Sequence, residues 1–343
     1  MRIVVLGATG NVGTALLERL HRAPEATELV GVSRRGPDRA GAPYDGVEWH
    51  RMDIADAASA PRLTEVLRGA DAVVDLVWVI RPNRDRAHLR AVNVDGNERV
   101  FRAAAAAGVP HLVYASSVGA YGPGPKDVRV DESHPTTGVP TSHYAAQKAE
   151  VETILDRVAA EHPRMLVSRL RPGLVFQSGA GPEIKDYFLG DLVPARLAAR
   201  LRTPVLPFPT GLRFQALTAQ DVAEAYWQVV ARRAGGAFNV AAEPVLDAHT
   251  MGTVLGARRI LELPVAVFRA AAAVSYRARL QPTDPGWVDM AAAVPVMDTS
   301  ALRRATDWRP RTDARDAVRL VLDHLDGREG LGNAGHRSHS PLE

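Results

Sequence analysis

The stretch Arg2-Ile3-Val4-Val5-Leu6-Gly7-Ala8-Thr9-Gly10-Asn11-Val12-Gly13 decides the fold. Arg2 to Leu6 is a short apolar run with the character of a buried strand, and from Val12 to His21 the apolar residues recur at helical spacing. Between them the glycines fall as Gly-x-x-Gly-x-x-Gly. Glycine allows the tight turn and lets backbone approach a pyrophosphate, while the following helix offers unpaired N–H groups and the positive end of its dipole. A glycine triplet alone is weak. Here a strand precedes it, a helix follows it, and a second strand at Glu28 to Ser33 closes a βαβ unit of about 30 residues, the context that signifies dinucleotide binding.

The alternation continues along the chain. Strands are predicted at Val47 to Met52, Ala72 to Ile80, His111 to Ser116 and Met165 to Arg171. Helices are predicted at Ala60 to Arg68, His88 to Ala107 (stopped by Gly108) and Tyr144 to Glu161. Such alternation predicts an α/β fold with a doubly wound parallel sheet and helices on both faces. Beyond residue 176 the pattern loosens. Phe214 to Leu217 and Ala237 to Val240 are short candidate strands around a clear helix, Asp221 to Arg232. Residues 245–325 are mostly helical, with a proline-rich break from Pro282 to Pro285.

Three places carry candidate chemistry. The second strand ends Ser33-Arg34-Arg35, where an acid would bind the 2′-hydroxyl of NAD. Two guanidiniums suit a 2′-phosphate instead, so NADP(H) is the preferred cofactor and NAD(H) remains possible. Both arginines also fit an ordinary surface in so Arg-rich a chain. Asp53, after the third strand, is placed to accept from the adenine amino group, with Ile54 beside it. Tyr144 and Lys148 lie four apart, on one helix face. An ammonium nearby lowers a phenol's pKa, so Tyr144 is the candidate acid/base, and Lys148 is also suited to hold ribose hydroxyls. The 42 basic residues include only three lysines, Lys126, Lys148 and Lys185, so a lysine at this spacing is informative. Ser117 follows a buried strand, where a hydroxyl faces the ligand crevice of an open parallel sheet.

Composition removes whole classes. Cysteine is absent, which excludes disulfides, cysteine–zinc sites and thiol catalysis. His134 and His143 lack metal-ligand companions, and no metal is expected. The 42 basic residues nearly balance 39 acidic ones, and a net charge of +3 demands no acidic polymer. The Arg-rich segments lack interleaved aromatics, so no nucleic acid is expected. The apolar run before Gly7 is too short for a signal-peptide core, and Val265 to Val274, interrupted by Arg269, is too short for a membrane span. A cytoplasmic protein with a small-molecule substrate is expected.

Together these motifs resemble the extended short-chain dehydrogenase/reductases of the NAD-dependent epimerase/dehydratase type, over about residues 1–325. The resemblance rests on the Gly7-to-Gly13 loop, Asn93-Val94-Asp95-Gly96, Ser116-Ser117 with Tyr121-Gly122, Tyr144/Lys148, Arg171-Pro172-Gly173 and Asp221-Val222-Ala223. Asp298 to Pro310, with Trp308-Arg309-Pro310, adds a C-terminal signature. It implies a Rossmann-type domain over 1–176, its sheet completed by about 213–242. It also implies a smaller, mainly helical substrate-binding cap from 177–212 and 243–326; the tail 327–343, rich in Gly, Ser and His with few apolar residues, is expected to be disordered. In that reading Ser117 orients the substrate oxygen, Tyr144 is the acid/base and Lys148 lowers its pKa. Gly7, Thr9, Gly10, Asn11, Val12, Gly13, Ser33, Arg34, Arg35, Asp53, Ile54, Leu76, Val77, Trp78, Tyr144 and Lys148 contact cofactor. Asn93 supports the site and Pro172 touches the nicotinamide. A homodimer packing helices 88–107 and 144–161 is also implied.

The departures bear on substrate. Dehydratases of this type carry Asp-Glu where this chain has Val118-Gly119. Nucleotide-sugar members often carry Asn at the place of Leu174 and Arg-Asp where Phe214-Gln215 stands, with Arg213 one place off. Leu76-Val77-Trp78 is bulkier than the small pair common there. The leading expectation is an NADP(H)-dependent oxidoreductase acting on a small non-nucleotide carbonyl or alcohol. A nucleotide-sugar 4-epimerase and a non-catalytic dinucleotide sensor are the alternatives.

Overall fold

The computed structural model describes residues 1–38, 40–80, 84–177 and 205–325. Seven parallel strands form the central sheet: β1 (Arg2–Leu6), β2 (Glu28–Ser33), β3 (Val47–Arg51), β4 (Ala72–Asp75), β5 (His111–Ala115), β6 (Leu166–Pro172) and β7 (Gly236–Val240). Their spatial order is β7-β6-β5-β4-β1-β2-β3. The chain winds outward from β1 in one direction, then returns to start β4 on the other side. That reversal opens a crevice at the carboxyl ends of β1 and β4, the place where open parallel sheets bind ligands.

Alternate side chains of each strand enter opposite cores. Ile3, Val5, Val74 and Val113 join α1 (Asn11–Leu20) and the helix Ala219–Arg232 on one face. Val4, Leu6, Val73, Leu112 and Tyr114 join α2 (Ala60–Leu67), α3 (Asn97–Ala106) and α4 (His143–Glu161) on the other. Burial on both faces explains why these strands read as unbroken apolar runs. The helix Ala219–Arg232 becomes α5. Thr218 caps it by accepting from the Asp221 N–H at 3.1 Å, and Trp308 Nε1 donates to the Asp221 carbonyl at 3.0 Å. The Asp221 carboxylate accepts from Arg311 N and Thr312 N. The two C-terminal motifs thus join each other and seal the α5 end of the domain.

Two elements differ from the sequence reading. β4 stops at Asp75 instead of running to Ile80, because the backbone beyond it bonds to side chains. Val77 N–H donates to Asp75 Oδ1 at 3.1 Å; Asn93 accepts from Val79 N–H and donates to its carbonyl, both at 2.8 Å; Asn97 donates to the Val77 carbonyl at 3.3 Å. The expected helix His88 to Ala107 is built from Arg86–Arg90, a π-helical turn Ala91–Gly96, and α3. Such turns recur at functional sites, and this one carries Asn93. The C-terminal part is mainly helical as expected, with a strand pair added: Arg259–Leu263 runs parallel to Val205–Pro209. Residues 178–204 of the expected cap segment 177–212, and the expected tail 327–343, lie outside the described residues. Among the described residues no helix is long and apolar enough to cross a membrane.

His111 at the start of β5 gives the fold a pH dependence. Its Nε2 lies 2.8 Å from Ser168 Oγ, which donates onward to the Ala234 carbonyl, so Nε2 carries the proton and buried Nδ1 has no partner. Burial, aided by Arg233, pushes the imidazole from 6.5 down to about 4. Above pH 6.5 the ring is neutral in both folded and unfolded chains. As pH falls from 6.5 towards 4, only the unfolded chain takes up the proton, and stability is lost, by at most about 3 kcal/mol. His111→Gln should flatten that acid-side loss, read as the denaturant midpoint against pH.

Candidate active site at the carboxyl ends of the strands

The cofactor end of the crevice is a backbone cradle. Gly7 leaves β1 with φ of 74°, and a Cβ added there would stand 3.1 Å from the Leu76 carbonyl carbon, so the loops after β1 and β4 touch. A Cβ on Gly13 would lie 2.3 Å from Gly7 O. α1 is therefore seated directly on the loop, and a side chain at either glycine would fill the cradle. Gly10 precedes the helix without a side-chain cap, and no acid occupies the first turn. Gly10 and Asn11 are exposed, with Thr9 and Val12 partly so. An anion meets N–H groups and the helix dipole there. The residues fit a dinucleotide pyrophosphate.

The rim after β2 is basic. Ser33 Oγ accepts from Gly36 N–H at 3.0 Å and folds the turn that carries exposed Arg34 and Arg35. Arg51, which the sequence reading missed, ends β3 in register with Ser33. Its Nε lies 3.1 Å from where a Gly36 Cβ would stand. The available signal was β3 itself, since its parallel pairing with β2 sets its last residue beside the turn. Asp53 bends the next loop by accepting from Ala55 N–H at 2.9 Å, and Ile54 packs under Gly96.

At the other end, Ser117 and Tyr144 meet. Ser117 sits in an extended conformation after β5 and accepts from Gly119 N–H at 3.0 Å. Ser142 caps α4, so Tyr144 stands in its first turn, hydrogen-bonded to Ser117. Gly119 makes this approach possible, since a Cβ there would lie 2.8 Å from Tyr144 Cε1. Two indoles wall the phenol: Trp78 at 5.6 Å between centroids, and Trp287, from the C-terminal helix Gly286–Ala293, at 4.8 Å. Trp287, Val139 and Met290 belong to one apolar cluster with Tyr144. Trp287 escaped the sequence reading because only the tertiary fold brings it there. Pro172 ends β6 opposite Val240, and its side of the crevice is partly open.

Lys148 corrects an expectation. It does not bond to Tyr144. Its Nζ donates to the Ala115 carbonyl at 2.7 Å and to Tyr114 OH at 3.3 Å, and lies 3.5 Å from the centre of the Trp78 ring. Burial pushes the Tyr144 phenol above its ordinary value of 10.0, and the Ser117 bond only partly offsets this. The i, i+4 spacing put both side chains on one face. It did not foresee that the longer one reaches past the phenol to the end of β5. Burial also brings the Lys148 ammonium from 10.5 down to about 7, against the pull of Asp75 and Glu152.

A buried polar frame, also unread in the sequence, fixes the strand ends. Glu152 accepts from Ser116 Oγ at 2.5 Å and from Arg171 Nε at 2.7 Å; Arg171 Nη1 donates to Tyr121 OH at 2.9 Å; Tyr121 OH donates to Asn239 at 2.7 Å. The loop carrying Ser117 is thereby tied to α4, β6 and β7. Glu152 stands one turn after Lys148, and that spacing was the available clue.

The family model described as "NAD dependent epimerase/dehydratase family" matches residues 3–241. The chain belongs to this family. An uncharacterised protein of Mycobacterium tuberculosis is 33% identical over 117 residues, 34% of this chain and 12% of that protein. The L-arabinose 1-dehydrogenase (NAD(P)(+)) of Haloferax volcanii is 35% identical over 118 residues, 34% of this chain and 41% of its own. The uronate dehydrogenase of Pseudomonas putida is 31% identical over 153 residues, 45% and 53% of the two chains. The chain thus spans between 12% and 53% of the length of these curated relatives. Among solved structures, the dTDP-glucose 4,6-dehydratase DesIV of Streptomyces venezuelae superposes with a TM-score of 0.69 at 20% identity, covering 96% and 98% of the chains. The UDP-glucose 4-epimerase of Thermus thermophilus does so with 0.65 at 22%, covering 95% and 99%. At such identity these structures establish the extended short-chain dehydrogenase/reductase fold of this family member.

Replacing Tyr144 by Phe keeps the aromatic packing and removes the phenol hydrogen-bonded to Ser117. Turnover should fall about 10²–10⁴-fold, the usual worth of a positioned acid/base. Calorimetric affinity for dinucleotide should stay within about twofold. Retained turnover would remove Tyr144 from the chemistry.

Proposed function

We propose that this chain is an NADP(H)-dependent oxidoreductase that interconverts a small, non-nucleotide carbonyl and its alcohol. The observation that carries the reading is the meeting of the Ser117 hydroxyl and the Tyr144 phenol within an apolar wall of Trp78, Trp287, Val139 and Met290. The Gly7-to-Gly13 loop and the basic turn Arg34–Arg35 would hold NADP(H), which when bound would supply or accept a hydride. Ser117 holds the substrate oxygen. Tyr144, kept protonated at neutral pH by burial, donates its proton to that oxygen in reduction and receives one in oxidation. Lys148 places positive charge beneath the site, where a phenolate forming at Tyr144 is stabilised. Residues 1–176 with 213–242 form the cofactor-binding part, and 177–212 with 243–326 the substrate cap. The protein acts in the cytoplasm as a homodimer packed through the helices within 88–107 and 144–161.

The basic turn Arg34–Arg35, with Arg51 beside it and no carboxylate at the end of β2, supports NADP(H). Two features support a substrate without a nucleotide. Gln215, at a place where nucleotide-sugar members carry a charged pair, is turned inward: it accepts from Met297 N–H at 2.7 Å and donates to the Met297 carbonyl at 3.1 Å. The arabinose and uronate dehydrogenases among the relatives are named for free sugars and sugar acids. The nucleotide-sugar 4-epimerase reading draws on the same Ser, Tyr and Lys; the Escherichia coli N-acetyl-α-D-glucosaminyl-diphospho-undecaprenol 4-epimerase, 28% identical over 176 residues, is a 4-epimerase named for a lipid-linked sugar.

Calorimetric titration with NADPH, NADH, UDP-glucose and UDP separates these readings. NADPH should bind tightest, UDP and UDP-glucose should give no heat, and Arg34→Ala with Arg35→Ala should cost NADPH about tenfold or more while sparing NADH. Clear UDP binding to a protein that retains NAD would favour the epimerase.

A further inference from the structure

The site holds a buried carboxyl group that the chemistry above does not use. Asp75 ends β4 and is completely buried, with 0% exposure. One carboxyl oxygen accepts from Val77 N–H at 3.1 Å; the other, Oδ2, has no partner. Asp75 pairs in register with Tyr114 of β5 on one side and with Leu6 of β1 on the other. Since strand side chains alternate, Asp75 shares the face of Val73, Leu6 and Tyr114, against which α4 packs. Lys148 descends from α4 onto that face, where its Nζ meets Tyr114 OH at 3.3 Å.

We infer that Asp75 is the counter-ion of Lys148, a positioning residue that keeps the ammonium charged beneath Tyr144. The charges around the pair leave Asp75 this role. Lys148 donates to two neutral oxygens, of Tyr114 and Ala115. The other carboxylate acting on it, Glu152 on its own helix, is already engaged by Arg171, Arg169 and Ser116. Among the described residues, Lys148 is in turn the one cation that acts on Asp75. The remaining titratable groups facing the pair are the phenols of Tyr114 (β5), Tyr144 (α4) and, across the sheet, Tyr226 (α5), the first and last of which burial holds in the neutral form. Burial lifts the Asp75 carboxyl and lowers the Lys148 ammonium, and the charge of each partly offsets the shift of the other. A carboxylate at this point favours the charged lysine; an amide does not.

The test uses the scarcity of lysine. Protein labelled with ¹³C at lysine Cε gives signals from only Lys126, Lys148 and Lys185, and Lys148→Arg identifies the one in question. In cofactor-free protein, Asp75→Asn should lower the Lys148 midpoint by about one pH unit or more. Lys126, whose Nζ donates to the Arg213 and Ala291 carbonyls, should not move. The alkaline limb of kcat/KM should shift down by the same amount, because the neutral lysine then appears at lower pH. A purely structural Asp75 would lower stability and leave the Lys148 midpoint where it is, and that result overturns the inference. Should Asp75→Asn fail to fold, the carboxyl ¹³C titration of Asp75 in the unaltered chain and in Lys148→Met decides: its midpoint should rise on loss of the lysine, and an unchanged midpoint refutes the pairing. The titrations need neither substrate nor cofactor. They remain decisive even if the oxidoreductase reading, on which only the kinetic limb rests, fails.

Discussion

Helix α1 rests on the loop that leads into it with no room for one methyl group at Gly13, where an added Cβ would stand 2.3 Å from the Gly7 carbonyl oxygen. Much else depends on this contact. It fixes the direction of α1, so the N–H groups after Gly10 face the crevice. The same loop touches Leu76 after β4, which joins the two strands flanking the point where the sheet reverses its winding. Any ligand lying across that point must meet backbone, because side chains have been excluded from it.

A second constraint acts below the crevice. The carboxyl ends of β4, β5 and β6 carry Asp75, Ser116 and Arg171, all buried. Such groups cost free energy unless paired, and a half-satisfied network is worse than an apolar one. Arg171, Glu152, Tyr121 and Asn239 satisfy one another almost completely. Burial opposes the charge on Arg171, but Glu152 and Tyr121 outweigh it and hold the guanidinium well above its ordinary range. The frame is rigid where Ser117 must be placed. Asp75 is the less satisfied part of this layer, since its Oδ2 has no hydrogen-bond partner.

The sheet was legible because its strands are buried on both faces and its helices end at recognisable stops. β1 and β2 have the bounds read from the sequence, and Ser117 and Tyr144, read as parts of one site, are hydrogen-bonded to each other. What escaped depended on contacts distant in sequence. β4 is short because Asn93 and Asn97, on the helical segments after it, take up its continuing backbone. Arg51 and Trp287 reach the site only through strand pairing and the packing of the C-terminal helices. Lys148 was identified but its partners were not, since helical spacing fixes a face and not the reach of a long side chain. Asp75 was hidden by its setting, a carboxyl group at the end of Ala-Val-Val in what read as one long apolar strand.

In the proposed reaction hydride leaves the cofactor for good, producing net oxidation or reduction of a substrate without a nucleotide. NADPH carrying deuterium at both C4 positions of the nicotinamide, incubated with the protein and a panel of small ketones, aldehydes and sugar lactones, tests this most directly by mass spectrometry. Deuterated alcohol or lactol should form in amounts matching the NADP⁺, and about 10²–10⁴-fold more slowly with Tyr144→Phe. Interconversion of a UDP-sugar and its 4-epimer with no net NADP⁺, and with no label in any free carbonyl compound, would contradict it.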